Sequence, residues 1–302
     1  GDRLIPCTSN KDCIKTVRRK CEQSCQPDPG SCMSYWANTD QYKDNYFTAS
    51  VFKPSCTNEG KWKAIQCKGG VNGRCFCFDA NGKRLFGEAV LHKSNQMTCA
   101  CSRRKADLLS QGRSYAGLHC DSLGNYEKLQ CDSGLCWCAE PKTGKVTAPV
   151  VPMKAMIKLP CYELSQTGNQ YYRQCDSVEY ALSLISETLK RHGVRYPNVG
   201  SIVCDGDGAF GAYAVKDGIA HCTSRDGNNI SPYASEDSLN FDKLNCNCAR
   251  DKQRYSYKLN CQTNGNYEYL QSAQSSGYYC VDDDGFAKTE IFDKKVNCSK
   301  YY

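Results

Sequence analysis

Cysteine is the residue that most constrains how this chain can fold, because 24 of its 302 residues are cysteines, an even number spread along the whole length. Such density is typical of chains that fold in an oxidising compartment, where disulfide bonds hold together small units that lack a large core. Length alone would suggest about two ordinary domains. The cysteines instead predict a series of smaller modules held by covalent bridges.

The cysteines belong to a register that occurs four times along the chain. In each copy a cysteine is followed four residues later by a glycine and six residues later by an aromatic side chain. The cysteines are Cys56, Cys120, Cys204 and Cys261, the glycines Gly60, Gly124, Gly208 and Gly265, and the aromatics Trp62, Tyr126, Phe210 and Tyr267. A three-residue segment ending in cysteine follows, then a second glycine (Gly82, Gly144, Gly227 or Gly285) and a closing cysteine. A fixed period of this kind indicates a tandem array.

Two of the copies resemble the thyroglobulin type-1 family, whose signature is Gln-Cys followed by Cys-Trp-Cys. Gln66-Cys67 precedes Cys75-Phe76-Cys77, and Gln130-Cys131 precedes Cys136-Trp137-Cys138. The second copy is nearly an exact match, the fourth keeps Gln271 and the third is the weakest. The resemblance spans roughly residues 32–298. It implies four small disulfide-rich modules in tandem, mostly irregular, with short strands and a few helices.

The resemblance also implies a disulfide pairing, because family members join their cysteines sequentially. The third and fourth cysteines are missing together, replaced by Val215 and Ala220 in the third copy and by Ser272 and Tyr278 in the fourth. The remaining bridges would be Cys32–Cys56, Cys67–Cys75, Cys77–Cys99, Cys101–Cys120, Cys131–Cys136, Cys138–Cys161, Cys175–Cys204, Cys222–Cys246, Cys248–Cys261 and Cys280–Cys298. Cys32, rather than Cys25, is taken to open the first copy. Cys7, Cys13, Cys21 and Cys25 would form two further bridges, and Cys7–Cys21 with Cys13–Cys25 is our choice among three connectivities.

The predicted organisation is an N-terminal cysteine-rich knot, two adjacent copies, a spacer and two divergent copies. The boundaries are 1–31 for the knot, 32–99 for copy 1, 101–161 for copy 2, 162–174 for the spacer, 175–246 for copy 3 and 248–298 for copy 4. The single linking residues Ala100 and Asn247 predict that copies 1 and 2, and copies 3 and 4, form rigid pairs. The polar spacer is interpreted as a hinge between the two pairs. Apolar periodicity predicts a helix over Ser177–His192, and a helical turn is expected over Arg103–Leu109.

Several classes of function are disfavoured by composition. The net charge of +7 is small for this length and indicates no nucleic-acid partner. No apolar run approaches the roughly 20 residues that span a bilayer. Because no signal-like segment stands at Gly1, we expect a mature protein that is secreted and extracellular. Asn229, in Asn-Ile-Ser, is a candidate glycosylation acceptor.

Enzymatic and metal-binding functions are also disfavoured. The chain has only four histidines, and no hydrolase or phosphate-binding motif occurs. Since every cysteine can be paired, no thiolate remains as a nucleophile or zinc ligand. The acidic runs Asp205–Asp207 and Asp282–Asp284 lack calcium-loop spacing and are interpreted as solvated turns. We therefore expect no enzyme, no cofactor and no metal.

The resemblance leaves two classes of function open. Some family members inhibit papain-like cysteine proteases by inserting loops into the substrate cleft, and here Ser133, Gly134 and Leu135, with Gly117 and Leu118, would be the contacts in copy 2. In copy 1 the corresponding loops are residues 68–74 and 52–55. Copies 3 and 4 lack the bridge that would clamp this loop. The alternative is a secreted binding, carrier or matrix-scaffold protein whose repeats bind an extracellular protein or a small ligand.

Overall fold

The computed structural model describes residues 19–22, 24–27, 31–34, 52, 54–70, 73–194, 202–255, 258–273 and 277–301. All ten bridges predicted for residues 32–298 are present. The predicted pairing of the N-terminal knot involves Cys7 and Cys13, which lie outside the described residues. The expected fold class, small disulfide-rich modules with short antiparallel strands and few helices, is confirmed.

The secondary structure is divided among small antiparallel sheets. The N-terminal stretch forms a hairpin of β1 (Arg19–Glu22) and β2 (Ser24–Pro27). Copy 1 contains β3 (Ile65–Lys68), β4 (Arg74–Phe78) and β5 (Arg84–Val90), followed by a 3-10 helix at Leu91–Gln96. Copy 2 contains α1 (Ala100–Ser110), β6 (Leu129–Asp132), β7 (Leu135–Cys138), β8 (Val151–Pro152) and a 3-10 helix at Met153–Lys158. A four-residue helix, α2 (Leu164–Thr167), lies in the spacer.

The second half of the chain has a larger sheet. Copy 3 begins with α3 (Gln174–Arg191), close to the predicted Ser177–His192, and continues with β9 (Ile202–Cys204), β10 (Phe210–Lys216), β11 (Ile219–Thr223), β12 (Asn229–Ser235) and a 3-10 helix at Ser238–Lys243. These strands lie in the order β12-β11-β10-β9. Copy 4 contains α4 (Asn247–Arg254), β13 (Leu270–Ser272), β14 (Tyr278–Cys280) and a 3-10 helix at Cys298–Tyr301.

One packing contact explains why glycine and aromatic residues keep their register in all four copies. The second glycine of each copy lies against that copy's aromatic ring: a Cβ on Gly82 would lie 2.6 Å from the Trp62 ring, and one on Gly285 would lie 2.4 Å from Tyr267. Gly144–Tyr126 and Gly227–Phe210 make the same contact. These glycines also have positive φ, which side chains adopt only at a cost. Glycine is therefore required both for space and for backbone conformation.

A buried glutamine supports the hairpin in three copies. The Gln130 side chain accepts a hydrogen bond from the His119 amide and donates to the carbonyls of His119 and Glu127. Gln66 and Gln271 make the same three bonds in copies 1 and 4. Copy 3 has Ala214 at this position, and there β9 pairs directly with β10, Ala214 opposite Ile202. In copy 3, the backbone of β9 thus takes the place of the glutamine side-chain amide.

The joints between copies 1 and 2 and between copies 3 and 4 share one geometry. Cys99 and Cys246 adopt left-handed backbone angles, with φ of 58° and 50°, and a helix begins at the next residue. Arg103 then donates to the carbonyls of Trp62 and Phe78, and Arg250 donates to those of Phe210 and Thr223. Each arginine ties its own copy to the preceding one, and the rigidity of the two pairs stays a prediction.

The spacer differs from the expected hinge. Tyr171 is only 4% exposed, stacks on the His119 ring at 4.1 Å between centroids and donates to the Gly117 carbonyl at 2.7 Å. Arg173 donates to both carboxylate oxygens of Glu127, at 2.9 and 3.0 Å. The polar composition of residues 162–174 concealed three tyrosines, Tyr162, Tyr171 and Tyr172. The buried Tyr171, together with Arg173, holds the end of the spacer against copy 2.

Copy 4 packs against copy 1, which brings the two ends of the array together. Lys68 of copy 1 forms ion pairs with Asp282 and Asp284 of copy 4. The prediction that Asp282–Asp284 is a solvated turn is therefore wrong for these two residues, which are buried. Within the described ranges, no helix is both long and apolar enough to cross a membrane.

Candidate functional site

The β6–β7 hairpin of copy 2 carries three of the predicted contact residues at its tip. Cys131 and Cys136 face each other across the hairpin with their Cα atoms 4.0 Å apart, and their disulfide clamps the loop. The two turn residues, Ser133 and Gly134, have φ of 51° and 81°. Positive φ at both central positions is the type I′ geometry that matches the twist of a two-residue hairpin. Gly134 suits this turn because it has no Cβ.

The tip is open to solvent. A Cβ on Gly134 would meet no atom within 4 Å. Leu135 is 47% exposed, although it is a large apolar residue. Val146 and Val150, elsewhere in copy 2, are also exposed. The exposed end of the hairpin thus combines a thin backbone at Gly134 with an apolar side chain at Leu135.

Neighbouring elements hold the hairpin in place. Leu135 pairs with Pro152 of β8, and the Met153 amide donates to the Gly134 carbonyl at 2.9 Å. On the other side, the Asp132 carboxylate accepts from the Gly117 amide at 2.8 Å and pairs with Arg113 at 2.8 Å. Since the loop is fixed before any partner arrives, binding would lose little further conformational entropy.

Gly117 and Leu118 occupy a different position from the tip residues. Leu118 is only 5% exposed, and the Gly117 carbonyl accepts from the buried Tyr171 hydroxyl. The end of the spacer covers this segment, so both residues support the hairpin from below and neither reaches the surface. Because both residues are buried, this geometry does not favour the direct protease contacts predicted for Gly117 and Leu118.

Sequence reasoning missed the supports of the hairpin. Arg113, β8 and Tyr171 were not predicted to contact it. The adjacent Tyr171 and Tyr172 in a polar spacer were the available signal, because large aromatic residues are usually buried.

A buried polar layer lies between copies 2 and 3. The Nε2 atom of His119 lies 2.5 Å from the Oδ2 atom of Asp176, and neither side chain is accessible to solvent beyond 2%. Nearby, burial lowers the pKa of Lys105, whose Nζ donates to the Leu118 carbonyl. Burial also raises the pKa of Glu179. His119 thus packs against Tyr171 and is paired with Asp176 within this layer.

The corresponding hairpin of copy 1 is covered at its base. Lys68 is only 8% exposed, and Gly69 lies against the Phe286 ring of copy 4. Phe52, in the second predicted loop of copy 1, is also buried. The residues between these flanks, 71–72, lie outside the described ranges.

Two remaining predictions concern modification and metal binding. Asn229 is exposed at the start of β12, where a glycan would be accessible, and its glycosylation stays a prediction. Among the residues that the structure describes, no three His, Cys, Asp or Glu side chains are grouped so as to hold a metal ion.

These features define a disulfide-stapled tandem-module protein whose copy 2 hairpin presents its tip to solvent. The family model for the thyroglobulin type-1 repeat matches residues 35–99 and 100–152. The chain therefore carries thyroglobulin type-1 repeats in two adjacent segments, its first two copies.

The curated relatives share only part of their length with this chain. Thyroglobulin from Sus scrofa is 34% identical over 113 residues, 34% of this chain and 4% of that protein. Thyroglobulin from Homo sapiens is 31% identical over 96 residues, covering 30% of this chain and 3% of its own length. Equistatin from Actinia equina is 31% identical over 107 residues, 33% of this chain and 46% of equistatin.

Proposed function

We propose that this chain is a secreted, non-enzymatic inhibitor of papain-like cysteine proteases and that copy 2 carries the inhibitory surface. The observation that carries the proposal is the exposed, clamped tip Ser133–Gly134–Leu135. A cleft is entered best by a loop that is narrow and already ordered, and this tip is both. Gly134 allows close backbone approach to the cleft, and Leu135 offers an apolar group to a subsite.

Copies 3 and 4 complete the proposed organisation. We assign residues 175–246 and 248–298 to divergent copies of the module, because they keep the glycine–aromatic contact and the arginine-clamped joint. Neither has a disulfide across its hairpin. Their role in this proposal is structural, whereas copy 2 makes the protease contact.

The test is inhibition of papain and of a lysosomal cathepsin by the full chain and by its Leu135→Asp variant. A central interface residue commonly contributes about 2 kcal/mol, so the variant should raise the inhibition constant about 30-fold. Leu164→Asp is the matched control, since Leu164 is an exposed leucine in the spacer helix and not part of the β6–β7 hairpin. Equal loss in both variants, or no inhibition by the unmodified chain, would contradict the proposal.

A second function, binding of a small ligand, is supported by one cavity. It measures about 710 Å³ and lies between copy 2 and the spacer. Tyr172 and Val178 are among its lining residues and offer aromatic and apolar surface to a ligand, whereas His119, Leu129 and Tyr171 line it from buried positions. If the full chain inhibits no papain-like enzyme, the carrier function becomes the better proposal. A screen of small aromatic ligands by Tyr fluorescence would then test it.

A further inference from the structure

Arg113 of copy 2 contacts the exposed hairpin tip. Its guanidinium group donates to the Asp132 carboxylate at 2.9 Å and to the hydroxyl of Ser133, a turn residue, at 3.3 Å. The Arg113 side chain is 33% exposed. A long side chain at such a position has many conformations available to it, so it orders a partner only where its own backbone is fixed. The position of the tip therefore depends on what holds the backbone near residue 113.

The two residues that follow Arg113 are held by copy 3. The Ser114 hydroxyl donates to the Glu187 carboxylate of α3 at 2.7 Å. The Tyr115 ring packs against the Tyr180 ring of α3, with centroids 5.4 Å apart, and Tyr115 is only 7% exposed. Because Tyr180 and Glu187 are seven residues apart in a helix, they lie on one face of it. That face of α3 thus contacts the chain immediately after Arg113.

An aromatic cluster forms the centre of this contact. Tyr172 of the spacer stacks on Tyr180 with centroids 4.8 Å apart and meets the Tyr115 ring edge-on at 5.9 Å. Among the residues that the structure describes, the buried hydroxyls of Tyr115 and Tyr172 have no hydrogen-bond partner. Packing of the rings, which contributes beyond the burial of their surface, therefore holds the three tyrosines together.

The first turn of α3 is anchored on copy 2 independently of this cluster. Asp176, which is fully buried, lies 2.5 Å from the Nε2 atom of His119, and Arg173, just before the helix, pairs with Glu127 at 2.9 Å. At the position of the joint arginine of copies 2 and 4, α3 has Ser177. The joint between copies 2 and 3 therefore uses its own set of contacts, and these hold α3 along the segment that leads to the tip.

We infer that α3 of copy 3 positions the protease-binding tip of copy 2, so that the inhibitory unit comprises copy 2, the spacer and α3. This inference rests on the proposed function. Tyr180 and Glu187 are positioning residues, because they lie outside the hairpin and act on it through Ser114, Tyr115 and Arg113. A tip that is held in place loses little conformational entropy on binding, and α3 adds to that order. The divergent copy 3 thus contributes to inhibition by supporting its neighbour.

The test measures papain inhibition by the full chain and by its Tyr180→Ala, Tyr180→Phe and Ile185→Ala variants. Tyr180→Ala removes the ring that holds Tyr115 and should raise the inhibition constant about tenfold. Tyr180→Phe keeps the ring and should inhibit like the unmodified chain. Ile185→Ala is the matched control, because Ile185 is 47% exposed and lies on the far side of α3 from Tyr180. An equal rise for Tyr180→Ala and Ile185→Ala, or no rise for Tyr180→Ala, would overturn the inference.

A double-mutant cycle tests the path through Arg113. Arg113→Ala should itself raise the inhibition constant, and adding Tyr180→Ala should then change it less than about twofold, because the contact that transmits the effect is already lost. A merely structural role of Tyr180 would instead give the full tenfold rise again, and that result overturns the inference. If Tyr180→Ala folds poorly, Glu187→Ala, at an exposed position of α3, takes its place in the cycle with an expected rise of about threefold.

Amide hydrogen exchange separates failure of this inference from failure of the proposed function. Exchange over residues 113–117 and 132–134 should rise in Tyr180→Ala and not in Tyr180→Phe or Ile185→Ala. Unchanged exchange in Tyr180→Ala overturns the inference whatever the inhibition result. If exchange rises but the unmodified chain inhibits no papain-like enzyme, the proposed function is overturned, and the inhibitory role of α3 falls with it.

Discussion

Copies 1 and 2 share one hairpin and differ in what lies against it. Both have a cross-strand disulfide with Cα atoms 4.0 Å apart and a buried glutamine that makes the same three hydrogen bonds. On the outer surface, Lys68 and Arg74 of copy 1 correspond to Asp132 and Leu135 of copy 2. The interior of the module is thus the same in both copies. A few outer residues decide whether a copy contacts its own chain or the solvent.

The largest effect expected from this comparison is that of Lys68→Met. Removing the cation leaves Asp282 without its ion-pair partner in copy 1 and Asp284 with Arg84 alone, and loss of one partner from a buried ion pair typically costs about 3–5 kcal/mol. The loss of stability cannot exceed the free energy that holds copies 1 and 4 together, because copy 4 can separate from copy 1 and expose its carboxylates to water. Denaturant unfolding with intact disulfides measures the change. Lys63→Met, an exposed lysine of the same copy, is the control and should be nearly neutral.

A smaller and equal effect is expected when the shared glutamine is removed from either copy. Gln66→Ala and Gln130→Ala each leave three backbone hydrogen bonds unmade, and unsatisfied buried groups cost about 1–3 kcal/mol. Gln166→Ala, at an exposed position in α2, should have little effect. If one copy were destabilised far more than the other, the two interiors would not be equivalent. Thermal unfolding of the three variants decides this.

The smallest effect is expected for Asp132→Asn, at the copy 2 position that corresponds to Lys68. The Arg113–Asp132 pair is partly exposed, and such pairs contribute about 0.2–1 kcal/mol. Asn at this position can still accept from the Gly117 amide. If Asp132→Asn lowered the free energy of unfolding as much as Lys68→Met, the charged residues on the outer surface would contribute equally to the stability of both copies.

Local spacing was enough to predict the register of the copies, and the resemblance to the thyroglobulin type-1 family implied the pairing of the bridges. The cysteine positions, the Gln-Cys pairs and the glycine–aromatic pairs all lie close together in the sequence, and each of the ten described bridges spans 29 residues or fewer. The α3 helix was likewise predictable from apolar periodicity. Most of the module, including the exposed tip Ser133–Leu135, could therefore be predicted from the sequence.

Contacts between distant parts of the chain could not be predicted in the same way. Lys68 and Asp284 are 216 residues apart, and no periodic pattern links them. Asp282–Asp284 resembled a solvated turn because acidic residues are usually exposed, yet two of its members meet buried cations. Tyr171 likewise appeared to belong to a flexible spacer until its stacking on His119 was visible.

The sequential order of the disulfides determines what a single backbone nick does. Each described bridge joins one cysteine to the next cysteine along the chain, so the loops closed by the disulfides neither nest nor cross. One hydrolysed peptide bond inside any loop leaves the polypeptide in one piece. At the Ser133–Gly134 bond, both new termini would stay tied through Cys131–Cys136, with the Gly134 side held by Met153 and the Asp132 side by the Gly117 amide. A nicked molecule would therefore retain its tip.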